Sequence, residues 1–349
     1  MKKKVLFFTH SATGGAERIT VTIGKMLPKD EYEVKFVLVD KTKGSIANFI
    51  PDGYDVKYIL YPNIWCVVTP RIIKLLRKEK PYAVFSTSME ISARVLLAAR
   101  LVGNIKTVIR NCNYFSTIRW DQLLLCRGTY KYADWIIAQQ EEMKEDILKH
   151  ITNVCPENIL PLHNPLDIET IEAKSSAPSP YPDDDSIKYV WVARFHKSKG
   201  QDVLAKAFVK VAKQNEKTHL YFVGKEDTQG FSQQVRQIVE EGGVADRVHF
   251  VGFDTNPYRW VKYCDCFVLP SRIEGLPNAL IEAQYLHRPA VAATCIPIIK
   301  RIIKDGVTGY TVPSEDSDAM AEAMLKAPAL GNINMVYEGA KKEDFIKLF

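Results

Sequence analysis

The chain has 349 residues, enough for two domains of ordinary size and too many for one small core. Apolar residues make up 46% and charged residues 25%, which excludes a disordered or collagen-like chain. Lys and Arg number 47 against 41 Asp and Glu, a formal +6, which suits an anionic ligand or an anionic membrane surface; no zinc-finger spacing, aromatic RNA-binding motif or basic heptad region points to nucleic acid.

The N-terminal lysines run into Val5, Leu6, Phe7 and Phe8, an apolar run too short for a signal peptide and far too short for a membrane span. It reads as a first buried strand over residues 5–9, followed by Gly14-Gly15 and a helix over 16–27. The alternation continues with strands at 34–39, 83–86, 107–110 and 135–138 and helices at 71–79 and 92–102. Strands alternating with helices predict a parallel, doubly wound α/β sheet. Residues 1–166 are therefore read as a first Rossmann-like domain.

Residues 167–186 contain three prolines, several serines and the run Asp183-Asp184-Asp185, with no apolar period, and are read as a linker. The three aspartates have no flanking strand, so they read as a solvated charge run rather than a metal-binding DxD element. The alternation restarts over 187–330, with strands at 189–193, 220–223, 248–251, 266–269 and 290–293 and helices at 201–213, 233–240, 277–286 and 319–325. Residues 331–349 form a tail with a short amphipathic run at 343–349, for which a return to the first domain stays open. The seven cysteines, Cys66, Cys112, Cys126, Cys155, Cys264, Cys266 and Cys295, are odd in number and scattered. They predict a reducing, cytoplasmic setting, with Cys264 and Cys266 as small buried hydrophobes.

Three segments carry chemistry. After the strand at 266–269 come Glu274, Gly275, Leu276, Pro277, Asn278 and Ala279, then Glu282. Pro277 suits a first helical position, so Glu274 stands before the helix and Glu282 inside it. Gly275 admits a ligand close to the backbone, and free N–H groups at Leu276, Asn278 and Ala279 would form an anion or hydroxyl site. Ionised carboxylates at 274 and 282 suit the hydroxyls of a sugar or ribose. An isolated pair of this kind is ordinarily a surface loop acid and an exposed helix acid; the order of strand, Gly-Leu-Pro and helix tips the reading to a site.

The second segment, Arg194 to Lys199 in the loop after the strand at 189–193, supplies a planar fork and a mobile point charge, two complementary ways to hold a diphosphate. Each charge-assisted contact is worth roughly 1.5–3 kcal/mol, and such cations stabilise charge building on a leaving diphosphate. The third segment, His10 to Arg18 with Gly14 and Gly15, is not GxGxxG and disfavours a dinucleotide cofactor.

Together with Asn164-Pro165 and Asp305-Gly306-Val307-Thr308-Gly309-Tyr310, these segments closely resemble family four of the glycosyltransferases, the retaining group with the two-Rossmann GT-B fold. The resemblance implies two parallel sheets facing across a cleft, with donor binding by the second domain and acceptor binding by the first. It implies that Arg194 and Lys199 neutralise the diphosphate, Glu282 holds the ribose and Glu274 faces the donor sugar. Gly15, beside Gly14, would approach a phosphate, and Gly224 and Gly252 would border the nucleotide. The expected reaction transfers a sugar from a nucleotide-diphosphate-sugar co-substrate to a glycan or lipid-linked acceptor in bacterial cell-surface polysaccharide synthesis. Neither a metal nor a cofactor is required by it.

Two departures qualify the resemblance. Many relatives carry a His where this chain reads Arg110-Asn111-Cys112-Asn113, so no catalytic His is assigned; His10, Arg110 and Asn113 are carried as acceptor-side residues. Relatives often have a Gly-Gly or Ser-Gly turn and a Glu where residues 295–301 stand here. A sugar-nucleotide epimerase of the same fold and a non-catalytic nucleotide-sugar-binding protein remain alternatives. Two stretches, 71–78 with Arg71, Lys74 and Lys78, and 119–127 with Trp120, suit peripheral membrane contact or, equally, ordinary packing.

Overall fold

The structure, a computed structural model, describes residues 2–12, 14–60, 64–226 and 230–349, without the side chains of 64–68; Thr13 of the first glycine turn and the Cys66 thiol lie outside them. The chain divides into two compact units, Met1–Leu166 with Gly339–Phe349, and Asp167–Glu338.

The first unit carries seven parallel strands, β1 (Lys3–Thr9), β2 (Tyr32–Asp40), β3 (Asp55–Leu60), β4 (Ala83–Thr87), β5 (Lys106–Arg110), β6 (Trp135–Ala138) and β7 (Ile159–Pro161). Their order across the sheet is β3-β2-β1-β4-β5-β6-β7. A parallel strand covered by helices on both sides must be apolar on both, which is why Val5, Leu6, Phe7 and Phe8 run without a break and are all fully buried. Val5 and Phe7 pack on one face with Ile23, Phe36 and Phe85, and Leu6 and Phe8 on the other with Val37, Ile72 and Val95. The first face also receives Phe345, Leu348 and Phe349 from the C-terminal segment, with the Phe349 ring 5.7 Å from that of Phe7.

The second unit carries β8 (Ile187–Val192), β9 (Thr218–Val223), β10 (Val248–Gly252), β11 (Cys266–Leu269), β12 (Ala290–Ala293) and β13 (Gly309–Val312), in the order β10-β9-β8-β11-β12-β13, all parallel. Its core centres on Tyr189, Trp191, Phe208 and Phe222. In each sheet the strand order reverses direction once, between β1 and β4 and between β8 and β11. Ligands of such folds bind outside the carboxyl ends of the strands at that reversal.

Two segments differ from expectation. Residues 167–186 are not a bare linker: Asp167 caps the helix Ile168–Ser175 by accepting from the Thr170 N–H, and Tyr181 donates to the Trp260 carbonyl at 2.6 Å, with its ring 4.7 Å from that of Tyr221. The helix was hidden because its eight residues bury Ile171 and little else. Asp184 and Asp185 are paired with Lys188 and Lys217. Residues 331–338 stay with the second unit, where the Ile333 N–H donates to the His287 carbonyl at 3.1 Å. The structure also holds strands β3, β7 and β13 and the helices Trp120–Thr129, Glu141–His150 and Pro257–Lys262 beyond the elements the sequence predicts. The six cysteines with described side chains are free, and Cys264 and Cys266 are fully buried.

Candidate functional site

At the reversal in the second sheet, the loop after β8 meets the loop after β11. The chain leaving β8 is pinned by Phe195, buried against Trp191 and Phe222, and closes into a single turn at Lys197–Lys199. His196 stabilises that turn by accepting from the Ser198 N–H at 3.2 Å. Gly200 follows with φ +68°, and a Cβ there would stand 2.0 Å from the Pro270 carbonyl oxygen. Only glycine lets the turn press this closely against the end of β11.

The second loop answers with its backbone: the N–H groups of Arg272 and Ile273 donate to the Ser198 carbonyl at 2.8 and 3.2 Å. This contact brings the Lys199 ammonium to 2.7 Å from Glu274 Oε1, and the buried Ser271 hydroxyl donates to the same oxygen at 2.7 Å. The Glu274 side chain is only 9% exposed. Burial, reinforced by the Glu274 charge, pushes the Cys295 thiol up to about 12, so it stays protonated and is no nucleophile at neutral pH. The structure thus unites Lys199 with Glu274. Arg194, which opens the same loop as Lys199, is exposed, and its guanidinium has no partner among the described residues; its carbonyl accepts from Gln201 Nε2 at 3.2 Å.

The helix after this loop spans Asn278–Tyr285, with Pro277 before it rather than at its first position. The Asn278 N–H donates to the Leu276 carbonyl at 2.9 Å, so it is not a free donor as expected. Pro277, at φ −80° and ψ 76°, makes this a tight three-residue turn that consumes the N–H, while Leu276 is buried as its anchor. Gly275 and Ala279 flank the turn half-buried. Glu282 lies in the helix, where its Oε1 accepts from the Tyr258 hydroxyl at 3.4 Å.

Gly224 and Gly252 end β9 and β10. The Gly224 N–H donates to the Gly252 carbonyl at 2.8 Å, and a Cβ at 224 would stand 1.6 Å from the Ala193 carbonyl oxygen. Gly252, at φ +79°, sits at a register shift between the two strands. These glycines let three strand ends converge beside the Arg194 loop.

At the first unit's reversal the Asp40 carboxylate accepts from the Ser11 N–H and hydroxyl at 3.3 and 3.1 Å and lies 4.0 Å from His10 Nδ1. His10 Nε2 lies 3.1 Å from the Ser88 hydroxyl, and Ser88 holds a left-handed φ of +83°, a sparsely populated conformation for a residue with a side chain. Gly14 precedes the helix Gly15–Met26, whose first residue is exposed, and the Glu17 carboxylate turns back over Gly14. An acid there complements the partial positive charge of the helix end. Arg110 is 3% exposed; its Nε donates to Asn164 Oδ1 at 3.1 Å and a terminal nitrogen to Cys112 Sγ at 2.9 Å. Its fork is turned into the unit rather than toward solvent. Asn113 is exposed, with its carbonyl accepting from Asn111 Nδ2 at 2.8 Å.

Sequence reasoning missed Arg272, Asp202 and Glu315, which tie the second unit's loops together through ion pairs. Among the described residues no group of three or more His, Cys, Asp or Glu is placed to hold a metal ion, and no helix is long and apolar enough to cross a membrane.

Comparison with known proteins agrees with this architecture. Residues 13–170 match the profile described as Glycosyltransferase Family 4, and residues 186–328 match Glycosyl transferases group 1. An uncharacterized glycosyltransferase of Methanocaldococcus jannaschii is 25% identical over 255 residues, 68% of this chain and 61% of that protein. The N-acetylgalactosamine-N,N'-diacetylbacillosaminyl-diphospho-undecaprenol 4-alpha-N-acetylgalactosaminyltransferase of Campylobacter jejuni is 23% identical over 343 residues, covering 93% of this chain and 89% of the relative. A crystal structure of Anabaena HepE in complex with UDP and glucose superposes with a TM-score of 0.74 at 17% identity, covering 94% of this chain and 92% of that one. With one profile on each unit, sheets of matching topology and a GT-B neighbour along nearly its whole length, this chain belongs to the family-four glycosyltransferases and has the GT-B fold.

Proposed function

We propose that this glycosyltransferase moves a sugar from a nucleotide-diphosphate-sugar to a glycan or lipid-linked acceptor of a bacterial cell-surface polysaccharide, with retention of anomeric configuration and without a metal. The observation that carries the reading is the Lys199–Glu274 pair, seated at the strand-order reversal and braced by Ser271. When a donor enters, Lys199 and the unpartnered Arg194 neutralise the diphosphate, the task a metal ion performs elsewhere, and stabilise it as it leaves. Glu274 accepts hydrogen bonds from the sugar hydroxyls. Because Lys199 and Ser271 already engage one of its oxygens, it suits holding the sugar better than attacking it, so the leaving phosphate takes the acceptor's proton on the same face. Glu282 accepts from the ribose hydroxyls.

A lipid-linked acceptor, as in the name of the Campylobacter relative, requires work at a membrane surface from the cytoplasmic side. Lys57, Arg71, Lys74 and Lys78 line a groove of about 450 Å³ walled by Ile59 and Leu75, and Trp120 and Leu124 are exposed on one helix. A cationic groove suits an anionic bilayer surface, and exposed apolar side chains suit its interfacial layer.

A thermal-shift panel of UDP-, GDP-, ADP- and CMP-sugars identifies the donor, since a ligand of the folded state raises its melting point. Transfer is then followed by NMR with and without EDTA. A product with the donor's anomeric configuration and an EDTA-insensitive rate are expected. An inverted product overturns retention, loss of turnover in EDTA overturns metal independence, and a new sugar nucleotide formed without acceptor marks an epimerase. Flotation with anionic vesicles tests the membrane contact; equal recovery with zwitterionic vesicles removes the electrostatic account.

A further inference from the structure

We infer that Arg272 is a positioning residue that aims Lys199 at the donor's diphosphate by latching three loops of the second unit; the inference rests on the donor role proposed for Lys199. One terminal nitrogen of its guanidinium donates to Asp202 Oδ1 and the other to Asp202 Oδ2, each at 2.8 Å, a two-point fork only arginine makes. The first also donates to the Lys197 carbonyl at 2.7 Å, and the second to Glu315 Oε2 at 2.9 Å, while Nε donates to Glu315 Oε1. Every N–H of the guanidinium is therefore committed. Arg272 has no donor left for a substrate, so it acts through other residues.

Placement decides what it acts on. Lys197 and Asp202 bracket Lys199 in the chain, and the Arg272 N–H holds the carbonyl of Ser198 between them. The Lys199 side chain has a flexible stem, so the direction of its ammonium depends on a fixed backbone turn beneath it, and Arg272 grips that turn on both sides. Glu315, in the loop after β13, is held at φ +67°, which a residue with a side chain rarely adopts and which needs a partner to maintain. Asp202 lies in the first turn of the helix Gln201–Gln214, where a negative charge is favoured, and the Arg272 fork keeps its carboxyl below the usual range against the opposing effect of burial. The latch thus joins the ends of β8, β11 and β13 and leaves Glu274, two residues on, beside Lys199.

The test compares UDP with UMP by titration calorimetry on the full chain, because the β-phosphate isolates what Lys199 contributes. Arg272→Met should reduce the UDP-over-UMP affinity ratio roughly tenfold, the worth of one charge-assisted contact, with UMP affinity nearly unchanged. Lys199→Ala should do the same, and the double variant should be no worse than either single. Arg272→Lys, which keeps the charge without the fork, should restore only part of the ratio. If Arg272→Met does not fold, Asp202→Asn and Glu315→Gln open the latch from its other side and should show the same loss. Equal weakening of UDP and UMP means a merely structural role and overturns the inference, as does an unchanged ratio or an additive double variant. If the wild type binds no diphosphate of uridine, guanosine or adenosine better than its monophosphate, or if Lys199→Ala leaves the ratio intact, the donor reading itself fails.

Discussion

The two sheets share one strand order up to their edges, yet different side chains meet at their reversals. In the second unit, the loops after β8 and β11 bring together Lys199, Glu274, Arg272 and Asp202, a set of partly buried ion pairs. In the first, the loops after β1 and β4 meet through His10 and Ser88, Asp40 stands beside His10 and Ser11, and the buried Arg110 is answered by an amide and a thiol. Topology provides the same reversal twice; the side chains on the loops decide what each presents. The first unit's lysine–carboxylate network lies around Glu79, where Lys4, Lys35 and Lys57 converge.

The largest effect that would break this contrast concerns catalysis. Lys199→Ala or Glu274→Ala should each lower kcat/KM by roughly 10²–10³, the cost of removing one preorganised charge-stabilising group, and the double variant should lose little more because the two act as a unit. His10→Ala in the first unit should act mainly on the KM for the acceptor. Steady-state kinetics with donor and acceptor varied separately checks this, and equal sensitivity at both reversals would erase the distinction.

Next is a close glycine–backbone contact beside the Arg194 loop of the second unit. Gly224→Ala forces a Cβ toward the Ala193 carbonyl and should cost roughly 3 kcal/mol. In thermal unfolding of the variant, the transition of the second unit should move down while that of the first stays put.

One carboxylate of the first unit should shape the acid limb of that unit's stability. The Lys57 hydrogen bond, aided by Lys4 and the Lys35 charge and opposed by burial, holds the Glu79 carboxyl at about 2, against an ordinary 4.5. The folded form binds this proton more weakly than the unfolded chain, so the contribution, on the order of 2 kcal/mol, is complete above pH 4.5. It declines as pH falls below that and is gone below about 2. Urea midpoints of Glu79→Gln and wild type should therefore differ at pH 7 and converge toward pH 2.

The smallest effect concerns the first unit's reversal. Ser88→Gly should raise first-unit stability by less than about 1 kcal/mol, since glycine removes the left-handed cost but gains freedom when unfolded. The hydroxyl beside His10 is lost with it, so a rise in acceptor KM with a higher melting point is the expected pair of readings.

How much of this was legible varies by element. β1, β4 and β11 are short, unbroken apolar runs and were readable as buried parallel strands. β3, with the sequence DVKYIL, is an edge strand that alternates polar and apolar residues, and β13 is four residues containing a glycine, so neither carries the buried-strand pattern. Lys199 and Glu274 were legible because each lies in a loop that directly follows such a run. Arg272 stood inside the same motif, yet its partners are 70 and 43 residues away, and no local spacing could name them. Arg110, expected to face a cleft, instead turns to Asn164, 54 residues on.

Local hydrophobic period and turn chemistry were enough to establish two α/β units, their parallel sheets and the loops that carry the reactive side chains, because burial and backbone sterics act on neighbours in the chain. Which side chains then met, Lys199 with Glu274, Arg272 with Asp202 and Glu315, Phe349 with Phe7, was decided only by tertiary structure. Ion pairs and ring contacts act over a few ångströms, and only the folded sheet order brings such distant residues within that range.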